Sequence, residues 1–530
     1  MNNTFIRNQI CTLEFYLNRC DDIKAERVYV FIDNLLFSIV KSIQSGNNDY
    51  TYLHTLFKML FQSRDCLRGK GEKMTSYVFI CAFHKYFPQH AMYALHSFCS
   101  FQGCWADIKY FCRFVKDFQY LNEHDRNSLI YKAIDITIYQ FDMDYTSWSQ
   151  AFNTYLNVKE SGVGIERPYA PDMISMVSKW IPRESSAFQW LFDKIVERYY
   201  YIHCPYLFND SFDTKKWNKM KMDFRKKVVS LSKELNVPQK YMCSKQYDQL
   251  TSKNVTLQTA IRQSKYLCED ASPTNTFCDY IDKEYEYIHS HGKKNMNVSL
   301  DILVKKGFKL IQSRCDNNTE YQIHMLNNIW TKIVKNMNFS LSVIPICDLS
   351  GPQKYAALGM GILMAQISTY KKVIIVENQF RVVEIDENDT FVDILRTFFD
   401  YKCLYFNISF MFSCLYKQHN ACYVDPMRYV VLSSENNILK NQYDICNHYD
   451  KNVCIIFWNV LSDGDSIQPL LLDRYLYFSG ITPNLLHVLN NENIYKSTND
   501  KDCDKNYNIL YESLNNYAFT HHYSFPIVVC

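Results

Sequence analysis

The sequence predicts an α plus α/β multidomain chain: an irregular, solenoid-like helical module followed by a doubly wound, mainly parallel sheet domain. Three observations carry that reading. Through the first two-thirds of the chain, apolar residues recur at three- and four-residue spacing with few breakers, Gly and Pro numbering only 13 each in 530 residues. At Asn338 the period changes, and short β-rich runs begin to alternate with helical stretches. There, an apolar run over 341–347 ends in Asp348-Leu349-Ser350-Gly351-Pro352 and feeds a helix over 353–369, the strand-to-helix turn of an open parallel sheet.

Bulk composition bounds the rest. A chain of this length exceeds one ordinary core, so two or three domains are expected. With 47% hydrophobic and 16% aromatic residues it has ample material for packed interiors. A formal net charge of +3 supplies no global field for a polyanion, so any nucleic-acid site must be a local patch. The 20 cysteines include no Cys-x-x-Cys, and the closest two are Cys99 and Cys104; scattered reduced thiols fit a cytoplasmic chain better than a disulfide scaffold. No apolar run approaches the roughly 18 residues of a membrane span, so no membrane partner is expected.

In chain order, helices are expected over 50–62, 75–87, 90–100 and 105–118, separated by Arg68-Gly69-Lys70-Gly71, Phe87-Pro88-Gln89 and Gln102-Gly103. Residues 145–171, with Gly162, Gly164, Pro168 and Pro171, read as a connector. A second helical block runs over 172–250, a polar loop or insertion over 251–297, and helices resume over 299–335, so that 1–335 forms the helical module. Strands follow at 341–347, 372–376, 381–385, 429–432, 453–458 and 475–478. The link Glu377-Asn378-Gln379-Phe380 makes the second and third a hairpin, hence one antiparallel edge; the other strands need crossovers, supplied over 389–399 and 410–418. This domain spans 338–495, with a less regular tail over 496–530.

Several motifs stand in order over roughly residues 50–490. They are Arg64-Asp65-Cys66-Leu67-Arg68-Gly69-Lys70-Gly71-Glu72, Gly103-Cys104-Trp105-Ala106-Asp107-Ile108, Ser178-Lys179-Trp180-Ile181-Pro182-Arg183-Glu184 and Tyr241-Met242-Cys243-Ser244. Asp348-Leu349-Ser350-Gly351, Phe457-Trp458-Asn459 and Phe478-Ser479-Gly480-Ile481-Thr482 follow in the second half. Together they resemble an uncharacterised family of large DNA viruses and cellular genomes that joins a TROVE-like (Ro autoantigen-like) helical module to a von Willebrand factor A-like domain. The resemblance implies an architecture more than an activity. Related Ro proteins bind RNA through a helical ring, which implies RNA as one class of partner.

In A-like domains a cation such as Mg²⁺ is held by Asp-x-Ser-x-Ser, a Thr from a second loop and an Asp from a third. Here Asp348 and Ser350 match, but Pro352 replaces the second serine. Ile408 stands at the Thr position with Ser409 one residue out of register, and Ser434 stands near the Asp position with Glu435 beside it. The resemblance thus implies a degenerate metal-ion-dependent adhesion site of Asp348, Ser350, Ser409 and Glu435, largely vestigial, with Mg²⁺ at low occupancy at most. The residues themselves offer another role: Asp348 caps the helix near Pro352, and Ser350 bonds locally.

Two basic motifs suit RNA. Arg64, Arg68 and Lys70 flank two glycines, and Lys179 and Arg183 flank Trp180, cations for phosphate beside a ring for a base. Arg225-Lys226-Lys227 is a third cluster. The structural alternative pairs Arg64 with Glu72 or Asp107 and puts Trp105 and Trp180 in the core. Gly359-Met360-Gly361 lacks a third glycine and reads as close helix–sheet packing, and His289 and His291 read as solvated. The sequence has no nucleophile elbow, His-Glu-x-x-His or zinc-type cysteine spacing. The expected function is therefore a non-enzymatic binding or scaffold protein that docks a protein partner through the A-like domain. RNA binding is the alternative, and a metal-dependent enzyme comes third. The expected location is cytoplasmic, or the host cytoplasm or virion for a viral genome.

Overall fold

The computed structural model of the chain describes residues 3–18, 22–45, 50–66, 68–160, 174–208, 213–235, 237–244, 246, 259, 261–264, 299–313, 316–376, 380–399, 401, 407–421, 428–434, 438, 454–461, 467, 470, 475–490 and 503–519. They form two compact units: unit 1 is Met1–Ala82 with Gln246–Cys530, and unit 2 is Phe83–Lys245. The helices of the first part are α1 Asn3–Tyr16, α2 Asp22–Gln44, α3 Thr51–Arg64, α4 Lys73–Tyr86, α5 Pro88–Ser97, α6 Ala106–Asp117 and α7 Glu123–Glu160. Next come α8 Val177–Trp180, α9 Gln189–His203, α10 Thr214–Glu234, α11 Pro238–Cys243, α12 Leu300–Gln312 and α13 Asn317–Asn336. In the last part α14 Lys354–Ile367, α15 Phe391–Phe399, α16 Ile408–Ala421 and α17 Cys503–Phe519 alternate with strands or follow them.

Unit 1 is built on a six-stranded sheet: β1 Ile344–Cys347, β2 Lys372–Val376, β3 Phe380–Glu384, β4 Arg428–Ser434, β5 Cys454–Leu461 and β6 Leu476–Ser479. The order is β3-β2-β1-β4-β5-β6. Every neighbouring pair is parallel except β2 and β3. This is the doubly wound, mainly parallel sheet with one antiparallel edge that the alternation of runs predicts. All four residues of β1 are buried, as befits a central strand covered on both faces. The order reverses between β1 and β4, so the carboxyl ends of those two strands form the switch point where such sheets place ligands.

The glycines of α14 serve packing. A Cβ at Gly361 would lie 2.2 Å from Cys347 Sγ of β1, and one at Gly359 would lie 2.9 Å from Leu300 Cβ of α12. Residues 359–361 therefore let one helix approach both its sheet and its neighbour, as the missing third glycine indicates.

The boundary near 335 marks a change of element type but not a seam in the packing. On α12 and α13, Leu303, Val304, Leu326 and Ile329 share one core with Ile375, Leu395 and Leu432. Trp330 stacks on Phe391 at 3.9 Å between ring centroids and donates its indole N–H to Gln366 Oε1 at 2.5 Å. Burying each such large apolar side chain stabilises by about 1.5–3 kcal/mol, so this core binds α12 and α13 to the sheet domain. At the other end of the chain, α1 packs on β5 and β6.

The tail over 496–530 is more regular than its polar composition suggests. It contains α17, which packs on α1 and α3 and buries Tyr507, Leu510 and Leu514, one stripe at helical spacing. The expected connector is also shorter, because α7 continues to Glu160. Residues 161–173, most of 251–297 with His289 and His291, and Glu435 lie outside the described residues.

Unit 2 is an irregular helical stack. Its α7 and α9 run side by side in the same direction, as their pairings show: Lys194 with Tyr131, Arg198 bidentate to Asp135 at 2.7 and 3.0 Å, and His203 with Asp142. Phe141 of α7, Tyr199 of α9 and Phe224 of α10 close the aromatic core, with ring centroids 4.9–6.2 Å apart.

Candidate nucleic-acid interface

Residues 174–183 reach the surface of unit 2 through a short chain of local decisions. The buried Asp144 carboxylate accepts both the Ser175 N–H at 2.9 Å and the Ser175 hydroxyl at 2.7 Å, tying the start of the segment to α7. Burial raises the pKa of Asp144, and these hydrogen bonds, which favour the carboxylate, act against that rise. The single turn α8 follows and stops at Ile181, which is extended (φ −55°, ψ 127°) because Pro182 comes next. Ser232 of α10 donates to the Ser178 carbonyl and fixes the turn from the other side.

A cleft of about 860 Å³ results, lined by Lys179, Trp180, Arg183, Glu184, Phe192 and Arg225 among others. Two cations flank the Trp180 ring. Lys179 Nζ lies 5.5 Å from its centroid and Lys109 Nζ 5.3 Å. Trp180 is half-buried, whereas Trp105 is 7% exposed and belongs to the core. Burial lowers the pKa of Lys179 below the ordinary lysine value, and the nearby Cys104 acts against that fall. The carboxylate of the cleft, Glu184, meets Lys221 at 2.8 Å and the exposed Arg225 at 3.4 Å.

The basic helix α10 supplies the surroundings. Asp213 caps it by accepting the Lys215 N–H. Its sequence TKKWNKMKMDFRKKVVSLSKE holds eight Lys or Arg against two acids and buries only Met220, Phe224 and Leu231. The third basic cluster diverges on this helix. Arg225 lines the Trp180 cleft, Lys226 is exposed, and Lys227 turns to the α9 seam, 3.2 Å from the Tyr199 hydroxyl. The sequence motif did not include Lys109, which comes from α6 and lies close only in the fold.

The first basic motif belongs to unit 1 and is mostly internal. Arg64 is fully buried, with Nη1 2.6 Å from Cys66 Sγ, while Asp107 accepts the Cys104 N–H. Lys70 is 2% exposed and donates to Glu14 Oε1 at 2.5 Å and Ser479 Oγ at 2.8 Å. Arg68 is half-buried, and its backbone N–H donates to Asp65 Oδ1 at 2.9 Å. As phosphate contacts, Arg64 and Lys70 are thus corrected to structural roles, because their charged ends face protein atoms. Three motifs that lie far apart in sequence meet here. Thr482 donates to the Gly69 carbonyl, the Trp458 indole to the Gly480 carbonyl, and Asn459 to the Phe15 carbonyl. They lock α1 and the α3–α4 turn onto the ends of β5 and β6.

At the switch point of the sheet, Asp348 is 3% exposed and its two carboxylate oxygens are engaged. Oδ1 accepts the N–H and hydroxyl of Ser350 at 2.9 and 2.5 Å, and Oδ2 accepts the Ser433 hydroxyl at 2.5 Å. Asp348 thus closes a turn within 348–350 and does not cap the following helix. That helix begins at Lys354, with Gln353 at its N-cap. Ser433 reaches Asp348 from β4, whose pairing is irregular between Ser433 and Ser434. Ile408 is buried, and Ser409 lies in the first turn of α16, which Asn407 caps through the Phe410 N–H. Among the described residues no three His, Cys, Asp or Glu side chains cluster, and the oxygens that do converge are one carboxylate and two hydroxyls that donate to it. This set fits a hydrogen-bonded turn better than a dication, which needs about six oxygens turned toward it.

Among the described residues no helix is long and apolar enough to cross a membrane. No family model matches the sequence, and no curated protein matches it. Among solved structures, the chain is similar to the crystal structure of the Deinococcus radiodurans RO (RSR) protein, at 11% identity and a TM-score of 0.38, over 80% of this chain and 88% of that one. A likeness of that size assigns neither site nor function.

Proposed function

We propose that this is a non-catalytic RNA-binding protein whose Phe83–Lys245 unit holds single-stranded RNA in the Trp180 cleft. The observation that carries the reading is the convergence of Lys179, Trp180, Arg183 and Arg225 on one cleft beside a basic helix. Trp180 offers a face to an unstacked base, and the cations offer partners to its flanking phosphates. Arg64 and Lys70 take no part. Docking of a protein partner through the rim of the sheet is confined to the ends of the other strands, because α1 of the same chain already covers those of β5 and β6. The Asp348 site is a vestige of a metal site in this reading.

Fluorescence anisotropy of the full chain with a labelled oligouridylate tests the proposal. Arg183 and Arg225 are exposed, so changing both to Glu leaves folding intact and is expected to weaken binding at least about tenfold and to flatten its salt dependence. Trp180→Ala is expected to weaken it by about 1–3 kcal/mol. Wild-type affinity in the double charge reversal would sink the proposal.

A further inference from the structure

We propose that the groove between α7 and α10 is a second nucleotide subsite, so that one single strand crosses α10 and stacks in both clefts. The inference rests on the RNA reading above and extends it. A cavity of about 620 Å³ opens there, lined by Tyr145, Trp148, Phe152, Arg225, Lys226 and Lys233 among others. It shares Arg225 and Val229 with the Trp180 cleft. Helix geometry explains the sharing. Arg225, Val229 and Ser232 form one stripe of α10, and Lys226, Ser230 and Lys233 form the stripe beside it. On a helix about 10 Å wide, stripes one residue apart are separated by on the order of 8 Å, within reach of neighbouring nucleotides.

The second groove repeats the chemistry of the first. The Phe152 ring is half-buried and stacks on Trp148, with centroids 5.3 Å apart and planes 30° apart. Trp148 itself is 6% exposed. A buried indole therefore holds a half-exposed phenyl ring in a set plane, a platform that accepts any base. Lys226 and Lys233 are exposed beside it, and Arg225 stands on the ridge between the grooves with its side chain 56% exposed. Across the two grooves five cations face two carboxylates, Glu184 and Glu234, so the path is positive along its length. A duplex keeps its bases stacked on one another and cannot use either ring, which makes a single strand the fitting occupant.

Anisotropy of the full chain with labelled tri- and nonauridylate tests this. Phe152→Ala and, separately, the surface pair Lys226→Glu with Lys233→Glu are expected to weaken the nonamer about fivefold or more while leaving the trimer unchanged. Trp180→Ala should weaken both. The charge pair keeps the test valid if Phe152→Ala disturbs folding. Equal effects on both lengths, or no effect on either, would overturn the second subsite and leave the Trp180 cleft standing. Failure of both oligonucleotides to bind would overturn the two proposals together. A short RNA duplex or an acidic peptide that competes as well as the nonamer would also refute the stacking path.

Discussion

Single residues show how environment decides what a charged group does. Lys70 and Lys179 look alike in sequence, each beside glycine or tryptophan in a basic motif. Lys70 sits in a closed network with Glu14 and Ser479, where burial works against both charges, raising the pKa of Glu14 and lowering that of Lys70, while their attraction holds the pair together. Lys70→Ala should therefore cost about 3–5 kcal/mol by stranding Glu14, whereas Lys70→Met with Glu14→Leu should restore much of it, as read from urea melts. Lys179 keeps its ammonium at a cleft. Its pKa is lowered from 10.5 by burial, so between the lowered value and 10.5 the unfolded chain binds more protons and stability rises with pH. A bound phosphate would raise that pKa again. RNA affinity should consequently fall as pH climbs through this window, and Lys179→Gln should remove that dependence in an anisotropy series. Asp348→Ala removes the close acceptor of the Ser433 and Ser350 hydroxyls and should lower stability by about 1–3 kcal/mol. The vestigial reading expects the same loss in Mg²⁺ as in chelator, and a loss confined to Mg²⁺ would restore a metal site.

At the scale of elements, close approach is the recurring device. The α3–α4 turn has no room for a side chain at Gly69, where a Cβ would lie 2.0 Å from the Gln62 carbonyl oxygen. Gly69→Ala should cost about 3 kcal/mol or more, measurable as a drop in thermal midpoint, because backbone atoms on both sides must move. The strands were legible in sequence because short β-branched runs such as Lys372–Val376 suit a pleated and buried surface. The helix α17 was not, since its Asn-rich polar face dilutes a correct apolar stripe. The turn Asp348–Ser350 was misread as a helix cap because an Asp-x-Ser before a helix serves either purpose. Only the position of Ser433 on the neighbouring strand selects the turn.

For the whole molecule, the units cut across the order of the chain. The helices α1–α3 and α12–α13 belong with the sheet, and Phe83–Lys245 stands as its own unit. The fragment 338–495 is thus expected to lack a cooperative melt by circular dichroism, having lost the apolar surfaces of α1, α12 and α13. A cooperative melt of that fragment would show the sheet to be self-sufficient. Within unit 2, helices and the turn between α8 and α9, which carries Arg183, build the candidate site. Trp180 from α8 and Arg225 from α10 line one cleft, and Lys109 from α6 lies against the Trp180 ring, though the three span more than a hundred residues of sequence.

The sequence by itself determined the kinds of element, the parallel sheet with its antiparallel edge, the packing glycines of α14 and the Lys179-Trp180-Arg183 motif. Each of these depends on local period or on residues next to one another in the chain. Tertiary structure decided which cations face solvent, which helices share a core with the sheet, and what Asp348 holds. Those outcomes depend on contacts between distant segments, where the desolvation of a charge is settled by neighbours that local spacing cannot name.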